Sequence, residues 1–140
     1  MDLRLRGKRA LVTGSSRGIG RAIAHSLADL KVDVAINYLR GRNRAEETAR
    51  EIEGRGVRCL LVKGNVANPD HVEKIFATID QEWGGLEMVI SNAASGVLKS
   101  AKELTMHHFD WAMHINAAAL VPITQQFLAL PSKGEKVLVA

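Results

Sequence analysis

The chain has 140 residues, a formal net charge of +4, 46% hydrophobic and 24% charged residues. That balance excludes a disordered or fibrous chain and describes one globular domain able to bury about two-thirds of its unfolded surface. The single cysteine, Cys59, excludes an intramolecular disulfide and points to a reducing, cytoplasmic compartment. No run reaches the roughly 18 apolar residues of a membrane span. The basic start, Met1 to Arg6, has no apolar stretch behind it long enough for a secretion signal. The excess of Lys and Arg suits an anionic ligand, but with aromatics at 4% it makes no case for nucleic acid.

Short apolar runs alternate with amphipathic stretches along the chain. Arg9 to Thr13 reads as a buried strand ended by Gly14, and Gly18 to Leu30 as a helix with Ile19, Ile23 and Leu27 on one face. Val32 to Tyr38 is a second strand. Asn43 to Glu53 is a polar helix with an apolar stripe at Ala45, Ala49 and Ile52, terminated by Gly54 and Gly56. Val57 to Lys63 is a third strand. Asn68-Pro69-Asp70 combines a capping side chain, a proline at the first helical position and an acid in the first turn. Val72, Ile75, Phe76 and Ile79 then recur at the spacing of a buried helical stripe, and Gly84-Gly85 ends it. Leu86 to Ser91 is a fourth strand. A loop with Gly96 leads into helix from about Thr105 to Leu130, and Lys136 to Ala140 is a fifth strand. Strand and helix in alternation mean right-handed crossovers and a parallel sheet covered on both faces. The expected fold is α/β: a doubly wound parallel sheet of the Rossmann type with strand order 3-2-1-4-5, forming one dinucleotide-binding domain over residues 1–140.

The strongest local signal is Thr13-Gly14-Ser15-Ser16-Arg17-Gly18-Ile19-Gly20, between an expected strand and an expected helix. Gly14 allows the tight turn. Gly18 lets the backbone approach a pyrophosphate, and Gly20 lets the helix pack closely on the sheet. The N–H groups at the helix start then face the phosphates. An NAD site places Asp or Glu at the end of the second strand for the ribose 2′-hydroxyl. Here Asn37 and Tyr38 stand there, followed by Arg40, Arg42 and Arg44, with Arg17 nearby. Guanidinium groups bind a 2′-phosphate and a carboxylate repels it, so NADP is the expected dinucleotide. Of these cations Arg17 and Arg40 are the stronger candidates.

Asn92-Ala93-Ala94, at the carboxyl end of the fourth strand, leaves room for a ribose and nicotinamide, and Asn65-Val66 sits on the same sheet edge to flank the adenine. Asn116 is an Asn inside a helix, six residues before Pro122, where a missing N–H leaves a carbonyl unpaired near Ala118. It reads either as a surface residue or as a buried one at a local distortion, holding a water. The five histidines form no metal set, and Cys59 reads as a buried apolar residue.

Together, Thr13-Gly14-x-x-x-Gly18-Ile19-Gly20, Asn92-Ala93-Ala94 and Asn116 resemble the short-chain dehydrogenase/reductase family, over the whole chain in order. The stretches Asn92 to Leu98 and Trp111 to Ala117 look like those of the NADPH-dependent type III enoyl-acyl-carrier-protein reductases, close kin of the 3-oxoacyl-carrier-protein reductases. The resemblance implies hydride transfer from NADPH to an acyl thioester carried on acyl carrier protein or coenzyme A, in fatty acid synthesis. It also implies a cytoplasmic homo-oligomer, a tetramer at full length. In such enzymes a Tyr acts on the substrate oxygen, a Lys four residues later binds the nicotinamide ribose, a Ser holds the substrate oxygen, and a helical Asn supports a water relay. Asn116 matches that Asn and is the one catalytic position carried over. The Ser and Tyr-x-x-x-Lys belong after the fifth strand. The only tyrosine, Tyr38, has Arg42 four residues on. The expectation is therefore the cofactor-binding part of a longer reductase, inactive alone. The alternatives are a 3-oxoacyl-acyl-carrier-protein reductase and a non-catalytic NADP-binding module. A smaller departure is Lys31, in a turn where the family has Gly.

Overall fold

The computed structural model describes residues 4–140, so the basic start read from Met1 lies partly outside the described residues. Five strands, β1 (Arg9–Val12), β2 (Asp33–Tyr38), β3 (Cys59–Lys63), β4 (Met88–Ile90) and β5 (Val137–Val139), form one parallel sheet in the order β3-β2-β1-β4-β5. This is the expected doubly wound order. The helices between them are α1 (Gly18–Asp29), α2 (Arg42–Glu53), α3 (Pro69–Trp83), α4 (Met106–Met113) and α5 (Leu120–Ala129).

The sheet is apolar on both faces, as a parallel sheet under crossover helices must be. Leu11, Ala35, Val62 and Val89 face one core with Val72, Ile75, Phe76 and Ile79 of α3 and Ile123 and Phe127 of α5. Ala10, Val12, Val34 and Ile36 face the other, against Ala24 and Ala28 of α1 and Ala49 and Ile52 of α2. The stripes read for α2 and α3 are thus buried, and the Asn68 side chain caps α3 by accepting the N–H groups of Asp70 and His71. The stripe read for α1 needs correction. Gly20, Ala24 and Ala28 make the buried line, Ile23 and Leu27 flank it, and Ile19 is 74% exposed. Small residues take the contact line because α1 lies too close to the sheet for larger ones. Lys31 adopts φ 65°, the left-handed conformation in which a side chain costs about 1–2 kcal/mol.

All five strands are shorter than the apolar runs suggested. Arg58 precedes β3, its N–H taken by the Asp33 carboxylate at 2.8 Å. Ser91 lies just past β4. Its N–H still donates to the Val139 carbonyl at 2.8 Å. The region read as one helix from Thr105 to Leu130 is two helices joined by a π turn at 114–118, where the Ala119 N–H donates to the His114 carbonyl at 3.0 Å. Pro122 has no N–H to offer the Ala118 carbonyl, so the widened turn falls where that vacancy was expected. The side chains of β5 stay exposed. Among the described residues no helix is long and apolar enough to cross a membrane. Cys59 is half-buried, and burial pushes its thiol up to about 12, which leaves it a poor nucleophile.

At the amino ends of β1 and β4, Arg9 and Glu87 form a buried ion pair, their side chains 4% and 2% exposed. Arg9 Nε donates to Glu87 Oε2 at 3.0 Å, Nη2 to Oε1, and Nη1 to the Trp83 carbonyl at 2.6 Å. The amides of Arg9 and Lys133 each donate to the same carboxylate at 2.9 Å. Burial alone would push Glu87 up. The Arg9 guanidinium and the two amides outweigh it and hold the group at about 2. Because the folded value lies below the ordinary 4.5, the stabilisation is complete above that value and is lost as pH falls from about 4.5 toward 2. Glu87→Gln should cost about 3–5 kcal/mol in urea unfolding at neutral pH, by leaving Arg9 buried without a counter-charge. The variant should also lose less of its remaining stability than the parent between those two pH values.

Candidate functional site

The carboxyl ends of the strands open into a cleft of about 950 Å³, ample for a dinucleotide. Its walls come from the β1–α1 loop (Gly14, Ser16, Arg17, Gly18), the end of β2 and the following turn (Asn37 to Gly41, with Arg44), the end of β3 (Gly64, Asn65, Val66), the segment after β4 (Asn92 to Ser95), and Trp111 and Ile115 of the α4 region. Most of the residues read from the sequence as cofactor-binding meet here.

Local chemistry shapes the loop. Gly14 has φ 63°, and a Cβ on it would lie 2.9 Å from Ala93 Cα. A Cβ on Gly20 would lie 2.5 Å from Asn92 Nδ2 and 2.6 Å from the Gly14 carbonyl. Gly18 has φ 58°, and a Cβ there would meet nothing within 4 Å. Two glycines therefore let the loop, α1 and the β4 end approach one another, and the third faces open space. Thr13, 1% exposed, ties the same ends together: its Oγ1 accepts the N–H groups of Asn92 and Ala93, both at 2.9 Å. Asn92 Nδ2 returns bonds to the carbonyls of Thr13 at 3.0 Å and Gly14 at 3.3 Å.

The amino end of α1 meets the cleft at Arg17 and Gly18. The first turn of a helix carries N–H groups with no partner in their own ladder. At α3 and α4 side chains of Asn68 and Thr105 accept them, but at α1 no side chain does, and the first turn holds no acid. A helix start of this kind favours an anion.

The surrounding cations are sorted by their partners. Arg9, Arg21, Arg42, Arg55 and Arg58 are paired with Glu87, Glu51, Glu46, Asp29 and Asp33. The cleft-lining Arg17, Arg40 and Arg44 are exposed, and among the described residues no salt bridge engages them. Arg42 is thereby removed from the sequence candidates, since its guanidinium holds Glu46 one helical turn on at 2.6 Å. Among the described residues no Asp or Glu lines the cleft.

Some sequence candidates lie behind the wall. Ser15 is fully buried, its hydroxyl donating to the Val12 carbonyl at 2.6 Å, so any contact with a ligand would have to come from its backbone. Ile19 and Gly20 do not line the cleft. Tyr38, 7% exposed, and Val66, 5% exposed, show it only small surfaces. Asn65 is held by its own backbone, the N–H donating to His71 Nδ1 at 3.1 Å. Asn116 stands at the π turn, as its awkward placement suggested, and it is exposed, the surface one of its two readings. Its side chain is engaged with the segment after β4: Oδ1 accepts the Ser95 N–H and Nδ2 donates to the Ser95 carbonyl, each at 2.8 Å.

The sequence reading missed Trp111 and Ile115 as wall residues. Their spacing of four, one turn before Asn116, was a usable signal. It also missed the work of Asn37 and of Thr48, whose hydroxyl lies 3.3 Å from the Ser16 carbonyl. Among the described residues no three His, Cys, Asp or Glu gather as a metal site.

These features define a doubly wound α/β domain with a cleft suited to an anion at its carboxyl edge, and comparison with known proteins gives its family. The family model described as short chain dehydrogenase matches residues 8–139. The chain is 34% identical over 137 residues to the hydroxynaphthalene reductase-like protein Arp2 of Metarhizium majus, covering 97% of this chain and 51% of the relative. It is 36% identical over 104 residues to a 3-oxoacyl-acyl-carrier-protein reductase of Staphylococcus epidermidis, covering 74% of this chain and 42% of that one. Among solved structures, a short chain dehydrogenase from Burkholderia cenocepacia in complex with NADP superposes with a TM-score of 0.89 at 35% identity, over 96% of this chain and 55% of that one. The L-sorbose reductase of Gluconobacter frateurii, complexed with NADPH and L-sorbose, gives 0.85 at 30% identity, over 91% and 49%. The chain belongs to the short-chain dehydrogenase family. It spans about half the length of the curated relatives it matches.

Gly20→Ala tests the close approach. Its methyl group would press on the Gly14 carbonyl, the Asn92 amide and Ser15 Cα, so the substitution should cost about 1–3 kcal/mol in chemical denaturation. Alanine at Ala22, already exposed on the same helix, marks a position where a methyl group is accommodated freely.

Proposed function

We propose that this chain holds NADP(H) for a reductase of the short-chain type. The observation that carries the reading is the pairing, in one cleft, of an uncapped α1 start with three unpaired arginines and no carboxylate. The N–H groups at Arg17 to Gly20 suit the pyrophosphate, and Gly18 gives it room. Arg17 and Arg40, with Arg44 beside them, suit a 2′-phosphate. Asn65 and Val66 flank the adenine end. Asn92, Ala93 and Ala94 leave space at the nicotinamide end, where small side chains do not obstruct a flat ring. When bound, the cofactor supplies a hydride donor. The relatives' complexes with NADP and NADPH support the same reading.

The substrate proposed is a carbonyl compound, with a 3-oxoacyl thioester on acyl carrier protein or coenzyme A as the first choice. The 3-oxoacyl-acyl-carrier-protein reductase relative supports this. The enoyl thioester expected from the resemblance shares the same carrier, but none of the relatives described above bears that activity in its name. Asn116 is the one member of the expected catalytic set, and its bonds to Ser95 fit it to hold the segment beside the cleft. The Ser and Tyr-x-x-x-Lys of the resemblance have no counterpart in the sequence, and Tyr38 stands at the adenosine end. Exposed Met106, Phe109, Met113, Val121 and Leu128 on α4 and α5 fit the self-association that the family resemblance implies.

Two measurements check the reading. Calorimetry should show NADP+ bound more tightly than NAD+, and Arg40→Ala or Arg17→Ala should weaken NADP+ about tenfold each while leaving NAD+ nearly unchanged. Equal affinities would remove the 2′-phosphate assignment. The 140-residue chain should not oxidise NADPH with acetoacetyl or crotonyl thioesters, and turnover would show that the catalytic assignment is mistaken.

A further inference from the structure

Asn37 has almost no exposed surface, only 2%, and every hydrogen of its amide is used. Its Oδ1 accepts the Gly14 N–H at 3.2 Å, and Nδ2 donates to the carbonyls of Val62 at 3.2 Å and Gly64 at 3.1 Å. Its backbone carbonyl accepts the Ser15 N–H at 3.0 Å. One residue at the end of β2 thus removes the first two N–H groups of the glycine loop from the cleft. The same side chain grips the end of β3, immediately before Asn65 and Val66. The N–H groups that follow, at the uncapped start of α1, are left for a ligand.

We propose that Asn37 is a positioning residue for the dinucleotide. It selects which amides of the glycine loop face the phosphates and sets the span between the phosphate end and the adenosine end of the cleft. The inference rests on the nucleotide reading above. The role requires the polarity of an amide as well as its shape. Aspartate has the same outline, yet as a carboxylate it would set an oxygen against two carbonyl oxygens at about 3 Å, with no proton between them. Such a buried carboxylate is driven to take up a proton, and the protonated form recovers one donor while still accepting from Gly14. Two titratable side chains lie beside this clasp: His71, whose Nδ1 accepts the Asn65 N–H at 3.1 Å, and Tyr38, which lines the cleft next to Asn37; both are unchanged between parent and variants, so the ratio at each pH cancels them. The cations Arg17, Arg40 and Arg44 line the cleft beyond it.

The test compares the parent chain with Asn37→Asp and Asn37→Leu. NADP+ affinity is read by calorimetry at about pH 8 and about pH 5.5, as a ratio to the parent at each pH so that titration of the cofactor phosphate cancels. Asn37→Asp should bind about tenfold more weakly at the higher pH and recover most of that loss at the lower, while Asn37→Leu should be weakened at both. An aspartate variant within about twofold of the parent at the higher pH, or one equally weak at both, would overturn the proposal. Amide exchange on the parent needs no variant to fold. Without cofactor, Gly14 and Ser15 should be protected and Ser16 to Gly18 should exchange quickly, and NADP+ should slow the second set only. Fast exchange at Gly14 and Ser15, or protection of those two arising only with NADP+, would overturn it as well. A parent that fails to bind NADP+ removes the nucleotide reading, and this inference with it. A parent that binds while the aspartate ratio stays flat removes the role of Asn37 alone.

Discussion

Where β1, β2 and β4 end, the hydrogen bonding that joins them passes from the backbone ladder to three side chains. Thr13 gathers the amides of Asn92 and Ala93, Asn92 returns a bond to the carbonyls of Thr13 and Gly14, and Asn37 takes Gly14 on one side and the end of β3 on the other. Each of these residues is buried or half-buried, so a missing bond would leave a polar group without water, at a cost of about 1–3 kcal/mol. The cleft depends on this arrangement. It holds four loops at one sheet edge while leaving the backbone of the α1 start unengaged.

The two ends of the sheet handle charge in opposite ways. At the amino edge, Arg9 and Glu87 are buried together and saturated by amides from β1 and from Lys133, so their charge is satisfied internally. At the carboxyl edge, Arg17, Arg40 and Arg44 face a cleft with no counter-charge, beside the positive end of a helix dipole. The polarity of a parallel sheet makes this separation possible. All strand starts lie on one side and all strand ends on the other, so a structural ion pair and a binding cleft do not compete for the same ground.

Much of the fold was legible because its signals are local. The caps and stripe of α3, the narrow stripe of α2 and the glycines that follow them are dictated by residues within one or two turns. Thr13 to Gly20 was legible for the same reason, since a turn between a strand and a helix needs glycine at set positions. The reading failed where a distant partner decided the matter. Ile19 fits the spacing of a buried face, yet the space under α1 is taken by Gly14 and Asn92, and only Gly20 and alanines fit there. Ser15 has the chemistry of a phosphate ligand, but its hydroxyl turns inward to Val12. Arg42 and Arg44 look equivalent in sequence. One finds Glu46 a turn away, and the other is left at the cleft.

By itself the sequence determined the order of strands and helices, the glycine spacing of the β1–α1 loop and the lack of an acidic residue at the end of β2. Each follows from short-range sterics, helix capping or the identity of a single position. Tertiary structure alone decided which of these residues meet. Gly14 reaches Asn37 across 23 positions, Thr13 reaches Asn92 across 79, and Asn116 reaches Ser95 across 21. Such pairs leave no periodic trace in the chain. They arise because parallel strands, each separated by a whole helix, bring their carboxyl ends to a common edge. Asn37 shows the difference most clearly: in sequence it is the absence of a carboxylate, and in the structure it is the amide that clasps the glycine loop to the sheet.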